Sequence, residues 1–131
     1  MADEPPSPRP SIRWASVCID CADAEEMAAF YGRLLGWEVT ATDGHGWIGM
    51  RDPEGGRSLL FQAEEAYRPP VWPERPDGQD KMLHLEIQVD DLDAAVAFAV
   101  EAGARVADHQ PQAGVRVMLD PAGHPFCLFL D

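Results

Sequence analysis

The sequence predicts an α+β fold: two tandem βαβββ modules forming a curved mixed sheet around a concave pocket. The main observation is internal repetition. A shift of 68 residues lays Ile19 on Ile87, Asp23 on Asp91, Phe30 on Phe98, Asp52 on Asp120, Pro53 on Pro121, Gly55 on Gly123, Leu60 on Leu128 and Phe61 on Phe129. Self-similarity at a fixed period marks a repeated supersecondary unit. In addition, each copy opens with an alternating strand that runs into an Asp-capped helical pattern. Each also closes on an Asp-Pro-x-Gly turn before a last apolar strand. The register slips by one residue around Gly36 and Gly103 and recovers before those turns.

Residues 1–10, with Pro5, Pro6, Pro8 and Pro10, read as a mobile extended arm ahead of one domain over 11–131. The first module, 11–62, begins with a strand from about Ile12 to Asp20. Asp23 then caps a helix, and Glu26 three residues on completes a capping box. Met27, Phe30, Tyr31, Leu34 and Leu35 share one helical face, and Gly36 terminates it. Strands follow near Trp37–Thr42, Trp47–Arg51 and Ser58–Gln62. The second module, 82–131, repeats this order. A strand from Met82 to Val89 leads to a helix capped by Asp91, lined by Leu92, Ala95, Val96 and Ala99 and ended by Gly103. Strands near Arg105–Asp108, Val115–Leu119 and Phe126–Leu130 complete it. Between the modules, residues 63–81 carry Pro69, Pro70, Pro73 and Pro76 among Tyr67 and Trp72. Prolines stiffen such a segment and aromatics seek burial, so it reads as a strap crossing between the sheets with Trp72 against the body.

Composition narrows the partners. The 131 residues hold 10 Lys+Arg against 23 Asp+Glu, a net charge of −13, with 46% hydrophobic residues. That length suits one compact domain. So acidic a surface repels phosphate backbones and anionic membranes, which argues against nucleic-acid and membrane partners, and it would gather a cationic small molecule. No stretch approaches the roughly 20 apolar residues that cross a bilayer, and Asp3 and Glu4 stand where a signal peptide is positively charged. Cys18, Cys21 and Cys127 make an odd set without a disulfide framework, which predicts a reducing cytoplasm.

Strand alternation places the candidate site. In the second module Leu83, Leu85, Ile87 and Val89 take the helix side, sending His84, Glu86 and Gln88 to the opposite face. In the first, Val17 and Ile19 take the helix side and leave Trp14, Ser16 and Cys18 on the other. With Phe61, Trp72, Met118, Cys127 and Phe129, these residues predict a small-molecule pocket on the concave face. His84 and Glu86, two residues apart on one strand, lie about 7 Å apart at Cβ. A carboxylate there would raise the proton affinity of the imidazole and leave it poised as acid or base. Alternatively, His84 is a hydrogen-bonded wall residue, and Arg116 on a neighbouring strand neutralises Glu86. Cys18-Ile-Asp-Cys21 has redox spacing but ends a strand instead of opening a helix, and so reads as structural. His124 reads as a structural turn residue, His45 as an exposed hairpin tip, and His109 has no evident role. No Ser-His-Asp pattern, phosphate loop or dinucleotide fingerprint is present.

The strand–helix phrases Val17-Cys-Ile-Asp … Phe30-Tyr-Gly-Arg-Leu-Leu-Gly36 and His84-Leu-Glu-Ile-Gln-Val-Asp-Asp-Leu-Asp, with the ending Asp120-Pro-Ala-Gly-His-Pro-Phe-Cys-Leu-Phe, resemble the vicinal oxygen chelate superfamily of glyoxalase, bleomycin-resistance and extradiol dioxygenase proteins. The resemblance is closer to its glyoxalase-like domain branch and spans Ile12 to Asp131. It implies metal-ligand positions at Ser16, Leu59 (or Phe61, if the turn shifts register), His84 and Cys127. Only His84 is a standard ligand in its place, so the expectation is no stable metal centre and no other cofactor; the alternative is a residual His84–Cys127 zinc site helped by Cys18, although two certain donors fall short of three. The implied function is binding of a small organic ligand, for which a cationic, antibiotic-like molecule suits the charge. Trp14, Phe61, Trp72 and Phe129 would stack on it while His84 and Glu86 orient it. The alternative is a metal-independent lyase or isomerase using His84 and Glu86 as catalytic acid and base. The resemblance also implies a homodimer.

Overall fold

The computed structural model describes residues 9–130; most of the proline-rich arm assigned to 1–10 lies outside the described residues. The elements run β1 (Val17–Cys21), α1 (Ala24–Leu35), β2 (Glu38–Thr42), β3 (Trp47–Arg51), β4 (Ser58–Ala63), β5 (Leu85–Val89), α2 (Leu92–Ala102), β6 (Arg105–Val106), β7 (Val115–Leu119) and β8 (Pro125–Leu130). They form two tandem βαβββ modules, each a four-stranded mixed sheet, in the orders β1-β4-β3-β2 and β5-β8-β7-β6. In each, the first strand runs parallel to the last and the remaining pairs are antiparallel. No described helix is long and apolar enough to cross a membrane.

Local chemistry explains the element ends. Asp23 accepts from the Glu26 amide at 3.1 Å and Asp91 from the Ala94 amide at 3.0 Å, satisfying donors that a helix start leaves free. Gly36 closes α1 at φ 73°, a left-handed conformation that a Cβ would strain. The leading strands are shorter than the alternation predicts. β4 begins only at Ser58 and β8 only at Pro125, so the paired ladders start at Val17 and Leu85 and leave the residues before them outside the strands. The strand predicted at Arg105–Asp108 likewise shrinks to two residues.

The core lies between the helices and the sheets and is continuous across both modules. Met27, Phe30 and Tyr31 of α1 are fully buried. Phe30 meets Tyr31 edge-on at 4.7 Å between centroids and reaches Phe126 of β8 at 5.9 Å, while Tyr31 stacks on Phe61 at 5.6 Å. Two helices facing two sheets thereby share one aromatic centre.

The repeat does not run at one offset throughout. Val17 of β1 pairs with Leu59, and its equivalent Leu85 pairs with Phe126, so the last strands correspond at 67 residues. The preceding turns account for the missing residue. The first closes from Asp52 N–H to Arg57 O, the second from Asp120 N–H to His124 O. The first is one residue longer and needs left-handed glycines at both Gly55 and Gly56, against Gly123 alone in the second. Side chains alternate along a strand, so this single residue exchanges the faces of β4 relative to the sequence match.

Candidate functional site

Glu86 pairs in register with Cys127, and Gln88 with Phe129, which puts these four side chains on the face of the second sheet opposite the helices. Just before β5, His84 directs Nε2 to Glu86 Oε1 at 2.9 Å. The donor atoms of His84, Glu86 and Cys127 all lie within 4.8 Å of one another. Burial, followed by the hydrogen bond and negative charge of Glu86, pushes the Cys127 thiol up to about 11, with Lys81 acting in the opposite sense. At neutral pH Cys127 is therefore a protonated donor to Glu86, not a thiolate nucleophile.

Two cavities meet at His84. A recess of about 200 Å³ is lined by Trp72, Lys81, His84, Glu86 and Cys127, with Pro111, Gln112, Val115, Val117 and Pro125. A chamber of about 510 Å³ runs beneath the strap, walled by Cys18, Ile19, Asp20, Tyr31, Glu64, Tyr67, Arg68, Asp80, Lys81, Met82, Leu83, His84 and His124, among others. Lys81, His84 and Pro125 belong to both.

Past Ala63, which ends β4, the strap contains no helix or strand and is held largely by its side chains. Tyr67 donates to Ala122 O at 2.7 Å, and its hydroxyl lies 3.2 Å from His124 Nε2. Trp72 donates from Nε1 to His109 O at 3.2 Å, and the Lys81 ammonium sits 4.6 Å above its ring. Lys81 is also ion-paired with Glu74. His124 Nε2 bonds Asp20 O at 2.7 Å, so this histidine ties the second module's turn to β1. The sequence singled out neither Tyr67 as an anchor nor Lys81 at all; contacts across 55 and 9 positions leave no periodic signal.

Several predicted pocket residues stand elsewhere. Phe61 is fully buried in the aromatic core, because the longer first turn rotates β4; the hollow-facing position beside Cys18 is Leu60. The ligand position assigned to Leu59 or Phe61 therefore belongs to Leu60, which cannot bind a metal. Met118 is fully buried on the helix side, opposite Phe126. Arg116 pairs with the core residue Leu128, so it shares the helix-side face and cannot neutralise Glu86; its guanidinium donates to Ala113 O and Val115 O. Trp14 is 80% exposed and lines none of these cavities. Ser16 bonds Val17 O, and Phe129 is half-buried outside both the chamber and the recess. Gln88 faces with Phe129 but borders a separate groove near Leu34 and Phe98. Leu83, predicted to face the helix, is 63% exposed on the chamber wall, since it precedes the paired strand.

The sequence profile described as "Glyoxalase-like domain" matches residues 16–129, nearly the whole chain. This chain belongs to the glyoxalase-like domain family. That places it in the vicinal oxygen chelate superfamily, and the solved structures agree in fold. A glyoxalase/bleomycin resistance protein/dioxygenase family enzyme from Burkholderia phytofirmans PsJN superposes with a TM-score of 0.65 at 22% identity, covering 88% of this chain and 96% of that one. A glyoxalase/bleomycin resistance protein from Albidiferax ferrireducens T118 gives 0.58 at 17%, covering 90% and 98%. The fosfomycin resistance protein FosX from Listeria monocytogenes gives 0.65 at 11%, covering 89% of each; a mutant of it was solved with Mn(II) and 1S,2S-dihydroxypropylphosphonic acid. No curated protein sequence matches the chain.

A metal is therefore a question for this fold, and the donor set bears on it. The sequence counted His84 and Cys127 with Cys18 as a helper, whereas the structure groups Glu86, not Cys18, with them as the third donor. One imidazole, one carboxylate and one thiol fit a borderline ion such as zinc better than a hard ion such as manganese.

Proposed function

We propose that this glyoxalase-like domain binds a small organic ligand in the chamber and recess, with His84 and Glu86 orienting its polar groups. The observation that carries this reading is the position of His84, on the wall common to both cavities and held by Glu86 at 2.9 Å. A chamber of about 510 Å³ is of the size that takes small molecules. The acidic surface, at −13, suits a cationic, antibiotic-like ligand. Family resemblance adds a homodimer, to be checked by light scattering, and the odd cysteine set adds a reducing cytoplasm to the same proposal. A thermal-shift screen of organic cations and neutral analogues tests binding. The expected result is a raised melting temperature that is lost in His84→Ala, with the ligand recovered unchanged. A screen without any His84-dependent shift would refute the reading.

A second reading is supported by the His84–Glu86 contact itself, since a carboxylate bonded to an imidazole suits proton transfer. In this alternative the chain is a lyase or isomerase whose acid and base are His84 and Glu86, working without a metal. Product formation by chelator-treated protein, abolished by His84→Ala, would favour it. Were zinc bound, His84, Glu86 and Cys127 would hold it and it would supply Lewis acidity toward a ligand oxygen. Zinc-dependent protection of Cys127 from alkylation separates that case from the metal-free ones.

A further inference from the structure

We propose that the recess is a recognition subsite for an organic ammonium group, and that in the free chain Lys81 occupies it as an internal stand-in. This rests on the small-molecule reading above and specifies the chemical class of the ligand.

The Lys81 ammonium lies 4.6 Å from the centroid of the Trp72 ring and is ion-paired with Glu74, while Glu86 contributes a carboxylate to the same recess. An aromatic face beside carboxylates attracts an ammonium ion whichever molecule carries it. The Lys81 side chain is only 19% exposed, so the attraction acts in a partly dried setting. The Trp72 Nε1–H is fixed on His109 O at 3.2 Å, with the His109 ring 5.7 Å away, so its presentation does not depend on Lys81. Lys81 also lines the chamber, which gives its flexible stem space to withdraw. At about 200 Å³ the recess takes a head group alone, and the remainder of the ligand would fill the larger chamber.

Titration of the full chain with tetramethylammonium chloride, at ionic strength matched with sodium chloride, tests this by NMR. The Lys81 ε-methylene resonance, shielded by the Trp72 ring, should move toward that of free lysine as the probe is added, and the Trp72 indole N–H should shift with it. Neutral tert-butanol should move neither. Lys81→Met should bind the probe roughly two- to tenfold more tightly, and Trp72→Leu should lose binding. Lys81 resonances unmoved at high probe concentration, or Lys81→Met binding no better than wild type, would overturn the inference. If Lys81→Met does not fold, the wild-type titration decides alone. An organic ligand that shifts Tyr67 and His84 while ammonium leaves Lys81 in place would defeat this inference and leave the binding function standing. Lys81 displaced by ammonium, with no ligand found for the chamber, would do the reverse.

Discussion

The phenol of Tyr31 donates a 2.7 Å hydrogen bond to Oδ2 of Asp120, joining α1 of the first module to the Asp-Pro turn of the second. Asp120 is 1% exposed, and its Oδ1 accepts from the amides of Ala122 at 3.0 Å and His124 at 2.9 Å. Tyr31→Phe keeps the ring and leaves a buried carboxylate oxygen without its donor. An unsatisfied buried group of this kind costs about 1–3 kcal/mol. Urea unfolding should show that loss with an unchanged m-value, and a loss below about 0.5 kcal/mol would mean that another donor replaces the phenol.

Burial raises the Asp120 carboxyl above its ordinary 3.8, opposed by the Tyr31 hydrogen bond, the His124 charge and the backbone donors. A raised carboxyl means that folding favours its neutral form, so its contribution is fully present below the ordinary value and is lost as pH rises through the folded one. Asp120→Asn cannot ionise. Wild-type stability measured against this variant should therefore fall as pH is raised above the ordinary 3.8 through the raised folded value. Taking the difference cancels the other carboxylates, and a difference that grows with pH would contradict the assignment.

Phe30 and Phe98 occupy the same place in the two repeats, yet Phe30 is 0% exposed and Phe98 is 54% exposed. Phe30→Ala should cost about 3–5 kcal/mol, the usual range for emptying a core aromatic site. Phe98→Ala should stay within about 1 kcal/mol. Equal losses in thermal or urea unfolding would mean that Phe98 is covered in solution.

That pair marks what the sequence could convey. Caps, helix faces and the two central strands Trp47–Arg51 and Val115–Leu119 follow from local rules, and the structure has them where alternation and capping put them. The placement of Glu86 and Gln88 away from the helices is equally local. What alternation could not convey is which module supplies the cover for a given face, because Phe30 meets Phe126 across 96 positions. Nor could it register the extra residue in the first turn. Phe61 and Phe129 align by eye as repeats, but Gly56 sends one into the core and leaves the other on the opposite face. The recess was legible in part: its floor is one strand pair and the sequence sets Trp72 against the body, while Lys81 arrives from a strap with no period.

Phe61→Ala should therefore behave as a core change and not as a pocket change. Removing a ring that stacks on Tyr31 at 5.6 Å should lower stability by about 3–5 kcal/mol. Any ligand captured by the chamber should still bind the folded fraction with unaltered affinity. Calorimetry at a temperature where the variant is folded checks this, and a loss of affinity without a loss of stability would return Phe61 to the site.

The thiol of Cys127 offers a direct reading of the cluster. Its ordinary value of 9.0 rises to about 11 through burial first and Glu86 second. Its stabilising contribution is present below 9.0 and is lost as pH climbs through about 11, so alkali should weaken the fold in that window. Alkylation by iodoacetamide, followed peptide by peptide to separate Cys127 from Cys18 and Cys21, should be slow at neutral pH with a midpoint near 11. Glu86→Gln removes the charge and leaves the burial, so the midpoint should drop toward 9.0 without reaching it. An unmoved midpoint would show that Glu86 does not hold the thiol proton, and the three side chains would then not act as one cluster.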